Sequence, residues 1–193
     1  MHVHTVPVDQ ANGDVRRIYD SDLREDGYVA NMTQLFSLNP AAYDAWGQLT
    51  RAIRGQMDFR RYELATIAAA RALRCRYCVS AHGGRMLDAK LFDRQQVEAI
   101  TRDFHNASLD TVDVAIMELA EKVALHAYRV TPDDIDRLRQ FGLNDAEIFN
   151  VVLAAAARCF FSKTLDAMDA EPDEALAATN DLIQLVELRP PES

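Results

Sequence analysis

Apolar residues recur at three- and four-residue spacing along almost the whole chain, and no convincing stretch alternates with a period of two. The first rhythm gathers side chains on one face of a helix, while a half-buried strand needs the second. Turn-rich all-β folds also need frequent glycine and proline, and these 193 residues hold only 7 Gly and 6 Pro. The pattern therefore predicts an all-α fold, in a chain long enough for one ordinary core.

Start and stop signals divide the pattern. The less periodic residues 1–38 read as an N-terminal extension with a short helix at Val15–Leu23, and residues 39–193 as the helical domain. Asn39-Pro40 reads as an N-cap and first helical position, opening a helix to Arg54 with Gly55 beyond it. Helices are predicted from Asp58 through RRYELATIAAARAL, from Cys75 to Met86, and over Asp93–Asp103, Thr111–Arg129 and Pro132–Phe141. Asn144 with Glu147 is a capping-box-like start for a long helix to Met168. Pro172 is predicted to open a last helix, ending before Arg189-Pro190-Pro191.

Charge excludes some partners. The 30 acidic residues outnumber the 21 basic ones, for a net charge of -9, which argues against nucleic acid and against an anionic membrane surface. The longest unbroken apolar run, Val151–Ala157, is far below the roughly 20 residues that span a bilayer. MHVHTVPVDQ shows neither a basic n-region nor an apolar h-region, so the expected location is the cytoplasm. Three cysteines are too few for a disulfide scaffold, and a close pair in a reducing compartment points to redox or metal chemistry.

The pair lies in Glu63-Leu-Ala-Thr-Ile-Ala-Ala-Ala-Arg-Ala-Leu-Arg-Cys75-Arg-Tyr-Cys78-Val-Ser-Ala-His82. Cys78 and His82 are one helical turn apart on nearly the same side, and Cys75 and Cys78 are close enough at a helix start to form a disulfide. A helix N-terminus favours thiolate, and CxxC thiols there can fall from about 8.5 to between ~3.5 and ~7.5. Glu63 sits on the preceding helix, whose packing could return its carboxylate to the thiols. A thiolate, a proton carrier and a second thiol are what reduction of a peroxide requires.

At an offset of 84 residues the segment has an echo, with Glu147, Arg158 and Cys159 standing where Glu63, Arg74 and Cys75 do. Ser162 falls at the position of Cys78 and Asp166 at that of His82. This reads as a degenerate internal duplication, a helical hairpin copied without its chemistry.

The array Glu63…Cys75-x-x-Cys78-x-x-x-His82, with NPAAYDAWGQLTRAIRG before it and FGLNDAEIFNVVLAAAARCFFSKTLDAMDAEPDEA after it, resembles the AhpD-like alkylhydroperoxidases of the carboxymuconolactone decarboxylase superfamily, in their peroxidase-related branch. The resemblance implies an all-α AhpD-like fold and a thiol-dependent peroxidase that reduces organic hydroperoxides. It makes Cys78 the attacking thiol, Cys75 its resolving partner, and Glu63 with His82 the proton relay. It also implies no metal or organic cofactor, an external lipoyl-bearing or thioredoxin-like dithiol as reductant, and a homo-oligomer, trimeric or hexameric. Some members carry a further histidine just before the second cysteine, where this chain has Tyr77.

Other readings stand beside this one. Cys75, Cys78 and His82 could give three zinc ligands, with Cys159 or Glu63 needed as a fourth. The superfamily's acid/base decarboxylation is an alternative, as is a non-enzymatic, redox-sensing oligomer. Cys159 reads as a small buried hydrophobe, and His2 and His4 as part of a frayed terminus.

Overall fold

A computed structural model describes residues 1–187, and every regular element among them is helical. In chain order these are α1 (Gly13–Glu25), α2 (Asn31–Phe36), α3 (Pro40–Arg54), α4 (Phe59–Ala72), α5 (Arg76–Asp88), α6 (Arg94–Asp103), α7 (Thr111–His126), α8 (Pro132–Gln140), α9 (Asp145–Ala167) and α10 (Leu182–Glu187). The expected caps are in place. Asn39 Oδ1 accepts from Ala42 N at 3.1 Å, and Asn144 and Glu147 close a reciprocal capping box; the structure adds a cap at Asp58, whose Oδ1 accepts from Arg61 N at 3.0 Å.

The centre is α4, buried without interruption from Tyr62 through Arg71. A helix apolar on one face alone would be half exposed; this one is enclosed by α5, α7 and α9. Ala65, Ala68, Ala69 and Ala70 let those neighbours come close. Its charged residues are matched. Arg71 donates to the carbonyls of Thr101 and Arg102 and pairs with Glu121 at 2.8 Å. At the start of the helix, Arg60 binds the buried Asp113 of α7 at 2.7 Å.

By length and composition α9 could cross a membrane, but α3, α4 and α7 pack on it and Arg158 is buried along it, the pattern of a core helix.

Three details differ from the sequence expectations. Residues 31–36 form a helix, α2, that the weak periodicity did not reveal. The terminus is tied down rather than frayed: His2 N donates to Met168 O at 2.9 Å, Val6 N to Ser37 Oγ at 3.0 Å, and Tyr19 Oη to Val6 O at 2.7 Å. No single helix follows Pro172; a 3₁₀ segment at Glu174–Thr179 precedes α10. Tertiary pegs set that course, with Thr179 Oγ1 donating to Ser80 O at 2.9 Å and Leu182 fully buried over α5. The predicted helix end before Arg189-Pro190-Pro191 lies outside the described residues.

The docking of α10 on α5 makes two adjacent glycines unequal. A Cβ on Gly83 would strike the buried side chain of Leu182, whereas one on Gly84 would meet Thr179 Oγ1 at an ordinary 3.7 Å. Gly84→Ala should therefore stabilise the fold by about 0.5–1 kcal/mol through helix propensity. Gly83→Ala should lower stability by about 1–2 kcal/mol through overpacking. Thermal unfolding of the two variants checks the contrast.

Candidate active site

Between α4 and α5 the chain turns sharply, with Arg74 in the left-handed region at φ 59° and Cys75 N donating to Ala70 O at 3.0 Å. The turn makes Cys75 the N-cap of α5 and places Cys78 in its first turn, where the helix presents partial positive charge. Both thiols are free and enclosed, Cys75 being 0% and Cys78 1% exposed.

The polar groups around Cys78 come from α9. Arg158 Nη1 donates to Cys78 Sγ at 3.5 Å and Ser162 Oγ at 3.2 Å. Arg158 is itself only 5% exposed, with its guanidinium carbon 5.8 Å from the ring centre of Trp46 and 5.6 Å from that of Phe161. Burial opposes a thiolate at Cys78, but the Cys75 thiol, the Arg158 charge and the Ser162 hydroxyl outweigh it and bring the group down to about 6. Cys75 moves the other way, because its hydrogen bond to Cys78 and its burial both favour the thiol.

Glu63 and His82 do meet: Oε2 lies 2.6 Å from Nδ1, with both side chains buried. Burial and the nearby Arg158 cation hold the imidazolium down to about 4, despite the pull of Glu63 in the other direction. Burial alone would raise the Glu63 carboxyl, but His82, Arg85 and Arg158 bring it below the usual carboxylate range. The pair is thus a carboxylate and a neutral imidazole at neutral pH, with the Nδ1 proton assigned by its acidic partner and Nε2 left as an acceptor. Among the described residues no hydrogen bond joins His82 to Cys78. The Glu63 carboxylate is engaged by His82, not by the sulfurs that the sequence reading offered it.

Cys78, His82 and Arg158 line a cavity of about 660 Å³ with Trp46, Tyr62 and Tyr77. Part of its wall is α1, which contributes Arg17 and Asp22. Among the described residues Tyr77 makes no hydrogen bond to Glu63 or His82. Its hydroxyl donates to Asp173 Oδ2, while Asp173 Oδ1 accepts from Asn31 N at 2.7 Å, so this residue joins the C-terminal segment to α2.

Two sequence readings need correction. Cys159 is half-buried beside the exposed Phe160 rather than a core hydrophobe. Residues 147–166 are not a copied hairpin, because α9 runs straight through the positions that align with the Arg74 turn. Nor is the second segment bare of chemistry, since Arg158 and Ser162 both touch Cys78. The sequence held a signal for them: Arg158, Ser162 and Asp166 recur at four-residue steps along one face of the helix, beyond the apolar run Val151–Ala157. Among the described residues no group of three or more His, Cys, Asp or Glu is arranged to hold a metal ion.

Residues 40–104 match the model of the carboxymuconolactone decarboxylase family. The fold is similar to that of an uncharacterised peroxidase-related protein with an alkylhydroperoxidase AhpD core from Ralstonia eutropha JMP134, with a TM-score of 0.82, 19% identity, and 92% of this chain and 95% of the other covered. A peroxidase-related protein from Silicibacter sp. TM1040 aligns with a TM-score of 0.80 and 18% identity over 91% of this chain and 93% of its own. A cysteine-to-alanine variant of the debrominase Bmp8, in complex with 2,3,4-tribromopyrrole, aligns with a TM-score of 0.73 and 17% identity over 95% and 97%. A search of curated proteins finds no match to this sequence.

The Cys78 environment has a measurable consequence. Alkylation of Cys78 by iodoacetamide, followed by mass spectrometry across pH, should show a midpoint near 6. Arg158→Met should move that midpoint upward by about one unit or more. The unfolded thiol ionises at about 8.5, so the thiolate stabilises the reduced fold fully above that pH and the contribution disappears as pH falls through 6.

Proposed function

We propose that the chain, with a carboxymuconolactone decarboxylase family segment at residues 40–104 set in an AhpD-like fold, belongs to that superfamily and is a thiol-dependent peroxidase acting on organic hydroperoxides. The observation that carries the reading is a cysteine favoured as thiolate, facing a cavity, with a second thiol directly behind it.

The cycle follows from these positions. Cys78 thiolate attacks the terminal peroxide oxygen; the O–O bond breaks, the sulfur becomes a sulfenic acid and the alkoxide leaves as an alcohol after taking a proton. Cys75 then displaces hydroxide from the Cys78 sulfur and closes the disulfide. Arg158 and Ser162 hold the attacking thiolate. The hydrogen bond that His82 Nδ1 donates to Glu63 fixes the ring at the cavity wall, where Nε2 can take the proton of the incoming hydroperoxide and pass it to the oxygen that leaves. Tyr77 does not replace the histidine found in some relatives; its position ties down the C-terminal segment, and charge on Cys78 is supplied by Arg158 instead. Oxidation removes a negative charge beside a buried cation, so the disulfide is readily reduced.

The chain acts in a reducing cytosol and is recharged by an external lipoyl- or thioredoxin-like dithiol, in a homo-oligomer of trimeric or hexameric type. Phe149 and Phe160, more than half exposed on α9, are the apolar surface such an assembly would cover.

A second reading is favoured by the aromatic wall, in which Trp46 stacks on Phe161 with ring centres 3.9 Å apart. A halogenated aromatic could accept the same two electrons and one of the two thiol protons, leaving a halide, an aromatic ring with hydrogen in the halogen's place and the same disulfide.

A free-thiol count separates these readings. One equivalent of cumene hydroperoxide should remove two of the three thiols in the wild-type protein. In Cys78→Ser it should produce no intramolecular disulfide. Three thiols surviving peroxide, with bromide released from a brominated pyrrole, would favour the second reading; turnover persisting in Cys78→Ser would overturn both.

A further inference from the structure

Cys75 poses a problem that the cavity does not solve. It is wholly buried and is not part of the cavity wall, yet it must lose a proton before it can attack Cys78. Glu63 is occupied by His82, and neither meets Cys75 among the described residues. The answer lies on α9, where Arg158 and Ser162 both touch Cys78 and the next step of the same stripe is Asp166. Its carboxylate interacts with the Cys75 thiol, and Asp166 is exposed to solvent and is not among the residues that line the cavity.

We propose that Asp166 is the general base for the resolving thiol, taking the Cys75 proton and passing it to solvent by an exit separate from the substrate cavity. The inference rests on the cysteine cycle proposed above and adds a residue to it. While Cys78 is a thiolate, a second negative sulfur beside it is disfavoured. Once Cys78 is bonded to oxygen, or to another sulfur, that repulsion is gone. The Cys75 proton then moves to the Asp166 carboxylate, the Cys75 electron pair forms the S–S bond, and the S–O bond breaks to release hydroxide, which the proton that Asp166 returns to solvent converts to water. The titratable and charged groups facing Cys75 are Cys78 on its own segment and Asp166 and Arg158 on α9. Only Asp166 among them can accept a proton at this stage.

The test uses 4,4′-dithiodipyridine, so it does not depend on peroxidase activity. In the full-length chain carrying Cys159→Ser, the Cys78 thiolate attacks the probe and releases one pyridinethione. Cys75 then displaces the second and closes the disulfide. In Asp166→Asn the first release should keep its rate, and the second should slow by about tenfold or more near pH 7. The deficit should shrink as pH rises toward 10, where hydroxide can do the work, and Asp166→Glu should restore part of the rate. A second phase with wild-type rate and pH profile in Asp166→Asn would overturn the proposal. So would equal slowing of both phases, the signature of a structural role. Failure of the protein to consume hydroperoxide, with the two-phase result intact, would sink the peroxidase reading and leave Asp166 in its role.

Discussion

A guanidinium taken out of water must be met by negative charge, and Arg158 is the buried cation around which this site is arranged. Its desolvation is offset on two sides: the Cys78 sulfur lies 3.5 Å from Nη1, and the Glu63 carboxylate is held below its normal ionisation range in part by the same charge. The aromatic faces of Trp46 and Phe161 complete the enclosure. One side chain therefore favours thiolate at Cys78, carboxylate at Glu63 and neutral imidazole at His82. Neutralising it would alter three protonation states together.

The helical arrangement serves that charge. Because α4 is enclosed along its length, Glu63 can be held dry and aimed at α5. The left-handed turn at Arg74 brings α5 back so that His82 meets that carboxylate and Cys78 stands at a helix start. Opposite it, α9 remains unbroken for 23 residues, and four-residue steps along it deliver a cation, a hydroxyl and a carboxylate in succession. Two segments that look alike in sequence thus become different objects. The one with a turn supplies the thiols, and the straight one supplies the groups that set their charge.

Both ends of the described chain close over this centre. The N-terminal residues are hydrogen-bonded to the C-terminus of α9, and α1 lines the cavity. From the other end Asp173 binds Tyr77 and the Asn31 amide, placing the C-terminal segment beside the cavity. The residue before Cys78 is thereby a structural tie, and activation of the thiol is left to α9.

Much of this was legible in the sequence by itself. Helical periodicity, scarce glycine and proline, and the caps at Asn39 and Asn144 determined an all-α chain with most of its boundaries, because those signals act within one turn of the backbone. The spacing of Cys75, Cys78 and His82 determined that they share a helix start, for the same local reason. What only the tertiary structure decided was which distant groups meet them. Glu63 stops at His82, Tyr77 binds Asp173, and Arg158 and Ser162 arrive from 80 and 84 residues away. Ser162 and Asp166 read as a lost copy of the site because sequence records a residue's type and order, while burial and neighbouring charge, which set its chemistry, exist only once the helices have packed.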